Sequence, residues 1–254
     1  MAQNPSGRWD EASLKSMASN FLFETRDQRI YRMIKNNPNK PEPLCIAAVD
    51  EIWRQKREGL ERLIPERFRD ASIADLGYMT GKVITAMEDV LAPPTRNFND
   101  PVGLVFCGPA GSGKSHTAYA LLRWVADRNP ERIVYVDSYA HLVQDLRGEF
   151  SSDAYTDLGA TWDILNNISG LYPGLIFIDD LSSQKPTDFE TDKLMMFLET
   201  RVNNYMPFFI TTNVRSMDFA SVFGERLASR LAGYSRIIDF ETFDKRFPGS
   251  EKKS

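Results

Sequence analysis

Residues 108–115 read GPAGSGKS, which satisfies the pattern G-x-x-x-x-G-K-S. Glycines at 108, 111 and 113 let successive backbone N–H groups curl toward one anion without interference from a Cβ. The run follows the apolar stretch LVFC and opens the helical pattern HTAYALLRWVAD, so the positive end of a helix dipole joins the cradle. In such a loop the Lys114 ammonium reaches the β- and γ-phosphates of a nucleotide, and the Ser115 hydroxyl ligates Mg²⁺. Gly108, Pro109, Ala110, Gly111, Ser112, Gly113 and His116 complete the candidate ATP-binding stretch. A chance glycine-rich turn is the competing reading, and the strand before it and helix after it argue against that.

Three further runs carry chemistry. In LIFIDD, residues 175–180, four apolar residues bury a strand whose end delivers Asp179 toward Mg²⁺, through a water. Asp180 then lies beside the γ-phosphate, where a carboxylate orients and deprotonates an attacking water. FFITTN, residues 208–213, ends another buried strand in Asn213, whose amide can hold that water or the γ-phosphate. Alone, either polar end also reads as a turn. GERLASRLAG, residues 224–233, puts Arg226 and Arg230 four apart on one helical face, beside a stripe of Leu227 and Leu231. Gly233 reads as the helix stop. The arginines face solvent or an anion.

The elements that must position these groups follow from hydrophobic rhythm. Apolar runs GLVFCG, RIVYVD, LIFIDD, FFITTN and RIIDF alternate with helix-length segments, which predicts an α/β fold with a buried five-stranded parallel sheet flanked by helices. Ahead of them the spacing predicts a helix over 77–91, after IPERFRDASIADL. Residues 10–35 carry Leu14, Met17, Phe21, Ile30, Met33 and Ile34 at helical spacing, and NNPNKPEP at 36–43 reads as a linker. A second helix carries Ile46, Val49, Ile52, Trp53, Leu60 and Leu63 on one face. That face either packs on the domain behind it or docks another protein. The expected division is a small helical N-terminal region over 1–63, an ATPase domain over 64–247 and a polar tail over 248–254.

The 254-residue chain can bury a full core. Two cysteines and two histidines cannot build a zinc finger or a disulfide framework, and Cys107 reads as a small core residue. The net charge of −4 excludes a uniformly basic coat, not a local basic stripe on an oligomer. No apolar window is long enough to span a membrane, and MAQNPSGRWDEAS lacks a signal-peptide core. A cytoplasmic protein is expected.

The order phosphate loop, apolar-Asp-Asp, strand-plus-Asn, GERLASRL helix resembles an AAA+ ATPase. The stretches IPERFRDASIADL, GPAGSGKS, LIFIDD, ITTN and GERLASRLAGYSRIIDF, spread over residues 64–246, are similar to the DnaC/IstB branch of helicase loaders and transposition helpers. The resemblance implies an AAA+ base domain without a C-terminal lid, ATP and Mg²⁺ as cofactors, and Arg230 as an arginine finger reaching a neighbouring subunit's nucleotide. Arg226 would support it, and Arg246 resembles a terminal arginine that touches phosphates within its own subunit. It also implies a homo-oligomer on single-stranded DNA and a replicative helicase held through the N-terminal helices. In such proteins the region after the second strand is enlarged for nucleic acid, which makes His141, Gln144, Arg147 and Tyr155 candidates here. Two departures from full AAA+ proteins stand out, and both suit this branch. Asp180 replaces the Glu of many AAA+ proteins, which suggests slow or partner-stimulated hydrolysis, and no lid follows Phe240. The alternatives are an IstB-like helper binding duplex DNA and a transposase, a P-loop small-molecule kinase, and an ATP-binding scaffold without turnover.

Overall fold

The computed structural model describes residues 26–77, 79–91, 101–128, 130, 133–148, 174–181 and 186–240. Its frame is a five-stranded parallel sheet in the order β2-β3-β4-β1-β5. The strands are β1 (Gly103–Cys107), β2 (Ile133–Ser138), β3 (Leu175–Leu181), β4 (Phe208–Thr212) and β5 (Ser235–Asp239). These are the five apolar runs of the sequence. Every residue of β1 and β4 is buried, as a sheet covered on both faces requires.

Alternation along the strands sorts side chains into two layers. Leu104, Phe106, Phe177 and Phe209 face one cluster with α3 (Met79–Leu91) and α4 (Lys114–Arg128). Val105, Ile176, Ile178 and Ile210 face the other, under α5 (Tyr139–Gly148), α6 (Asp188–Asn203), α7 (Phe219–Phe223) and α8 (Glu225–Tyr234). Gly103 is fixed by register: it pairs with Phe208, whose ring would lie 2.2 Å from any Cβ there. Helix α6 starts at a capping box in which Thr187 and Glu190 satisfy each other's backbone N–H.

Two helices precede the sheet. Helix α1 (Arg26–Asn36) is the described part of the first periodic segment, and residues 10–25 of that expectation lie outside the described residues. Helix α2 (Glu42–Leu63) begins at Pro41, with acidic Glu42 in its first turn and basic Arg62 in its last, both favourable to the helix dipole. Ile30 of α1 packs on Val49 and Trp53, whereas Leu60 joins the main core beside α4. Arg123 of α4 donates to Glu61 at 3.2 Å. The buried stripe of α2 is thus covered within the chain, while Tyr31, Leu44 and Leu63 remain exposed. The expected helix over 77–91 begins at Met79.

Gly233 is not the helix stop that its position suggested. Its φ is not positive, α8 runs through it to Tyr234, and the chain enters β5 directly with Ser235 extended at φ −131° and ψ 152°. No left-handed cap is needed where a helix passes straight into a strand. Among the described residues, no helix is long and apolar enough to cross a membrane.

Candidate phosphate-binding and hydrolysis site

In the strand order, β1 lies between β4 and β5, and its carboxyl end opens onto the crevice where ligands gather in open α/β sheets. The phosphate loop leaves from this end. Gly108, Gly111 and Gly113 take φ of 133°, 77° and 102°, conformations in which an L side chain is strained. Ser112 is buried, and its hydroxyl has no hydrogen-bond partner among the described residues. Such an orphan at the base of a glycine-bent cradle fits a bound oxyanion. Gly108 also lets β5 close in, because a Cβ there would meet the Phe240 carbonyl oxygen at 2.5 Å. We expect Gly108→Ala to weaken nucleotide binding and to cost about 1–3 kcal/mol of stability from backbone strain, read by thermal unfolding and nucleotide titration. An unchanged midpoint would mean that the end of β5 yields without cost.

Lys114, only 5% exposed, opens α4. Its ammonium donates to the Pro109 carbonyl at 2.7 Å and to Asn213 Oδ1 at 2.9 Å. The Asn213 amide in turn donates to Asp180 Oδ1 at 2.7 Å. Asn213, one residue past β4, therefore bridges the loop lysine and the second acid. Alongside, Ser115 Oγ donates to Asp179 Oδ1 at 2.9 Å, and Thr211 Oγ1 donates to the same oxygen at 2.5 Å. A hydroxyl and a carboxylate in contact are hard oxygen donors suited to Mg²⁺, which needs few protein ligands when phosphate and water fill the rest.

Asp180 has φ 58°, uncommon outside glycine, and the register between β3 and β4 shifts between Ile178 and Leu181. Its N–H donates to Thr211 Oγ1 at 2.7 Å. The kink turns Asp180 out of the buried strand, so its carboxyl is exposed while both its neighbours are buried. Partial desolvation raises the Asp180 carboxyl above the ordinary aspartate range and the Asp179 charge adds to the rise, while Lys114 and Arg67 pull the other way. As pH falls, a carboxylate so placed takes up its proton sooner than an ordinary aspartate.

Sequence reasoning missed three contributors. Thr211 ties both acids to β4. Tyr119, one turn after Ser115 in α4, is buried, and its pKa is raised by burial and then by the Asp179 carboxylate, toward which its hydroxyl is directed. The third is Cys107, expected as simple core: its thiol donates to Asp239 Oδ1 at 2.9 Å, and burial pushes the thiol's pKa up. Asp239 also accepts from Ser216 Oγ at 2.6 Å, joining β1, β5 and the turn after Asn213.

The other expected residues lie apart. His116 is half-buried in α4. Arg230 is exposed on α8, donating to the Tyr234 hydroxyl at 2.9 Å and lying 3.8 Å from Glu199 of α6. Neither partner belongs to the phosphate loop or to the end of β3. Arg226 is likewise exposed. His141 pairs with Asp137 at 2.8 Å beyond the end of β2. Gln144 and Arg147 fall on α5, and Tyr155 and Arg246 lie outside the described residues.

No family model matches the chain, and no curated protein matches it. Solved structures do. The DnaC helicase loader is 22% identical with a TM-score of 0.54, over 70% of this chain and 100% of that one. DnaI is 21% identical with a TM-score of 0.51, over 72% and 94%. The replication initiator DnaA bound to AMPPCP and single-stranded DNA is 15% identical with a TM-score of 0.52, over 71% and 51%. The sheet order, the loop between β1 and α4 and these likenesses agree: the chain shares the fold of the DnaC helicase loader structure.

Proposed function

We propose that this chain is an ATP-dependent helicase loader of the DnaC type, with residues 1–63 as the partner-binding region and 64–247 as the ATPase domain. One observation carries the ATPase reading. The hydrogen-bond path Lys114–Asn213–Asp180 links the phosphate cation to the base through a residue able to hold the attacking water. ATP binds with its phosphates on the glycine-bent loop. Lys114 neutralises the terminal oxygens, and Ser115 and Asp179 would hold Mg²⁺, which would supply further neutralisation of the phosphate charge.

Asp180 accepts a proton from water as the water oxygen bonds to the γ-phosphorus. The bond from that phosphorus to the bridging oxygen breaks, giving ADP and inorganic phosphate. Arg230 serves the site of an adjacent copy, in keeping with its exposure and with partners that lie outside the site of its own chain. Arg246 is proposed as a phosphate contact within the chain. The loader reading, as against other nucleotide hydrolases, is supported by likeness to the DnaC helicase loader over the whole of that chain.

The nucleic acid is the testable part. Single-stranded DNA is expected to bind the ATP-loaded protein more tightly than nucleotide-free protein, and to weaken as salt rises because phosphate contacts release counterions. Fluorescence anisotropy with single-stranded and duplex oligonucleotides at several salt concentrations checks this. A preference for duplex of about ten-fold, or 1.4 kcal/mol, would instead favour a transposition helper. Capture of the partner, helicase or transposase, by the tagged full chain decides between the two.

A further inference from the structure

Asp239 ends β5, the edge strand beside β1, and the last register pair of the two strands sets it opposite Cys107. Its carboxylate receives three donors. The Cys107 thiol donates to Oδ1 at 2.9 Å, the Ser216 N–H to the same oxygen at 3.3 Å, and the Ser216 hydroxyl to Oδ2 at 2.6 Å. Ser216 opens the 3-10 turn Ser216–Asp218, and the residue before it, Arg215, makes no side-chain capping bond. Asp239 thus supplies from another strand the cap that the local sequence lacks.

What this cap holds is the turn that carries Asn213. The strand β4 ends at Thr212, so Asn213 already lies beyond it. Its amide has to face two ways, accepting from Lys114 at 2.9 Å and donating to Asp180 at 2.7 Å. Upstream, Thr212 Oγ1 donates to the Leu181 carbonyl at 3.0 Å and accepts from the Val214 N–H at 3.2 Å. Downstream, Ser216 is anchored on Asp239. The same carboxylate touches Cys107, the residue before Gly108, and the Phe240 N–H donates to the Cys107 carbonyl at 2.8 Å. The root of the phosphate loop and the turn after β4 therefore share one point of attachment. A cleft lined by Pro109, Asn213 and Arg215 runs between loop and turn, so their spacing depends on what ties them together.

We propose that Asp239 is a positioning residue for nucleotide hydrolysis: it ties the turn after β4 to the strand that carries the phosphate loop, and so holds the Asn213 amide between Lys114 and Asp180. This rests on the ATPase reading above and deepens it. Asp239 acts through Asn213, and a group displaced by about 1 Å from its working place can cost about 100-fold in rate.

The test measures single-turnover ATP hydrolysis by the full chain with Mg²⁺, beside equilibrium titrations with ATP and ADP. Asp239→Ala should slow hydrolysis by about ten-fold or more, while both affinities change by less than about three-fold. Asp239→Asn should keep most of the rate, because its oxygen still accepts from Cys107 and the Ser216 N–H while its amide donates to Ser216 Oγ. In an Asn213→Ala background, Asp239→Ala should cost less than about two-fold, since the group it positions is already gone. Ser216→Ala removes one hydroxyl and carries the test should Asp239→Ala fail to fold: it should slow hydrolysis by about three-fold, and again have no effect once Asn213 is alanine. An unchanged rate in folded Asp239→Ala or in Ser216→Ala overturns the proposal, as does a full additive loss in the Asn213→Ala background. Equal losses in Asp239→Ala and Asp239→Asn would assign the effect to charge, and parallel weakening of ATP and ADP would assign it to the phosphate loop; either overturns it too. No hydrolysis by the unmodified chain would remove the ATPase reading itself, and the proposal with it.

Discussion

Replacing Lys114 with alanine is expected to abolish measurable ATP binding, a loss of about 100-fold or more, near 2.7 kcal/mol. The side chain stands at the first position of α4, where the loop, the dipole and the end of β4 converge. Its ammonium is the one cation of the loop itself, and nothing in GPAGSGKS can take over its charge. The fold should tolerate the change. The lost contacts are hydrogen bonds to the Pro109 carbonyl and to Asn213, each with a net worth of about 1 kcal/mol, so the midpoint should fall by only a few degrees. Isothermal titration with ATP and a thermal scan read the two quantities separately. Wild-type affinity in the folded variant would sink the phosphate-loop assignment. Loss of fold instead of affinity would make Lys114 a structural residue.

Much of this site was legible because its parts are local. The phosphate loop needs eight consecutive residues of fixed type between a strand and a helix, and GPAGSGKS has them. The five apolar runs announce a covered parallel sheet because strands buried on both faces are built mainly of apolar residues. What stayed hidden depends on register. Thr211 reaches Asp179 across 32 residues of sequence only because β4 pairs with β3 in one particular alignment. Tyr119 reads as core on a helix, and it is core. Only the closeness of β3 turns its hydroxyl toward an acid. The left-handed turn at Asp180 arises from the slip between β3 and β4, which no local pattern encodes. Gly233 failed for the converse reason: a glycine near a helix end is a stop only when the chain must reverse there, and here it continues into β5.

Arg230 and Asp180 together should give the most distinctive kinetic result. Asp180→Asn is a clean lesion here, because asparagine also tolerates the left-handed backbone held at this position. Its side-chain oxygen can still accept from Asn213. The shape survives and the base is lost, so ATP should bind while turnover falls by about two orders of magnitude or more. Arg230→Ala should likewise spare binding, since the guanidinium is engaged by Tyr234 and Glu199 and not by the phosphate loop of its own chain. Loss of a finger that neutralises charge on the transferring phosphoryl group should cost about three orders of magnitude in turnover. Mixed in equal amounts, the two inactive proteins should recover part of the activity, because some interfaces will pair an intact Asp180 with an intact Arg230 from the next copy. The recovered rate should rise more steeply than linearly with total protein, as it depends on association. An Arg230 acting within its own chain predicts silence at every ratio, for then no single chain carries a complete site. That silence would return the exposed face of α8 to solvent and remove the main physical reason to expect a composite site between copies.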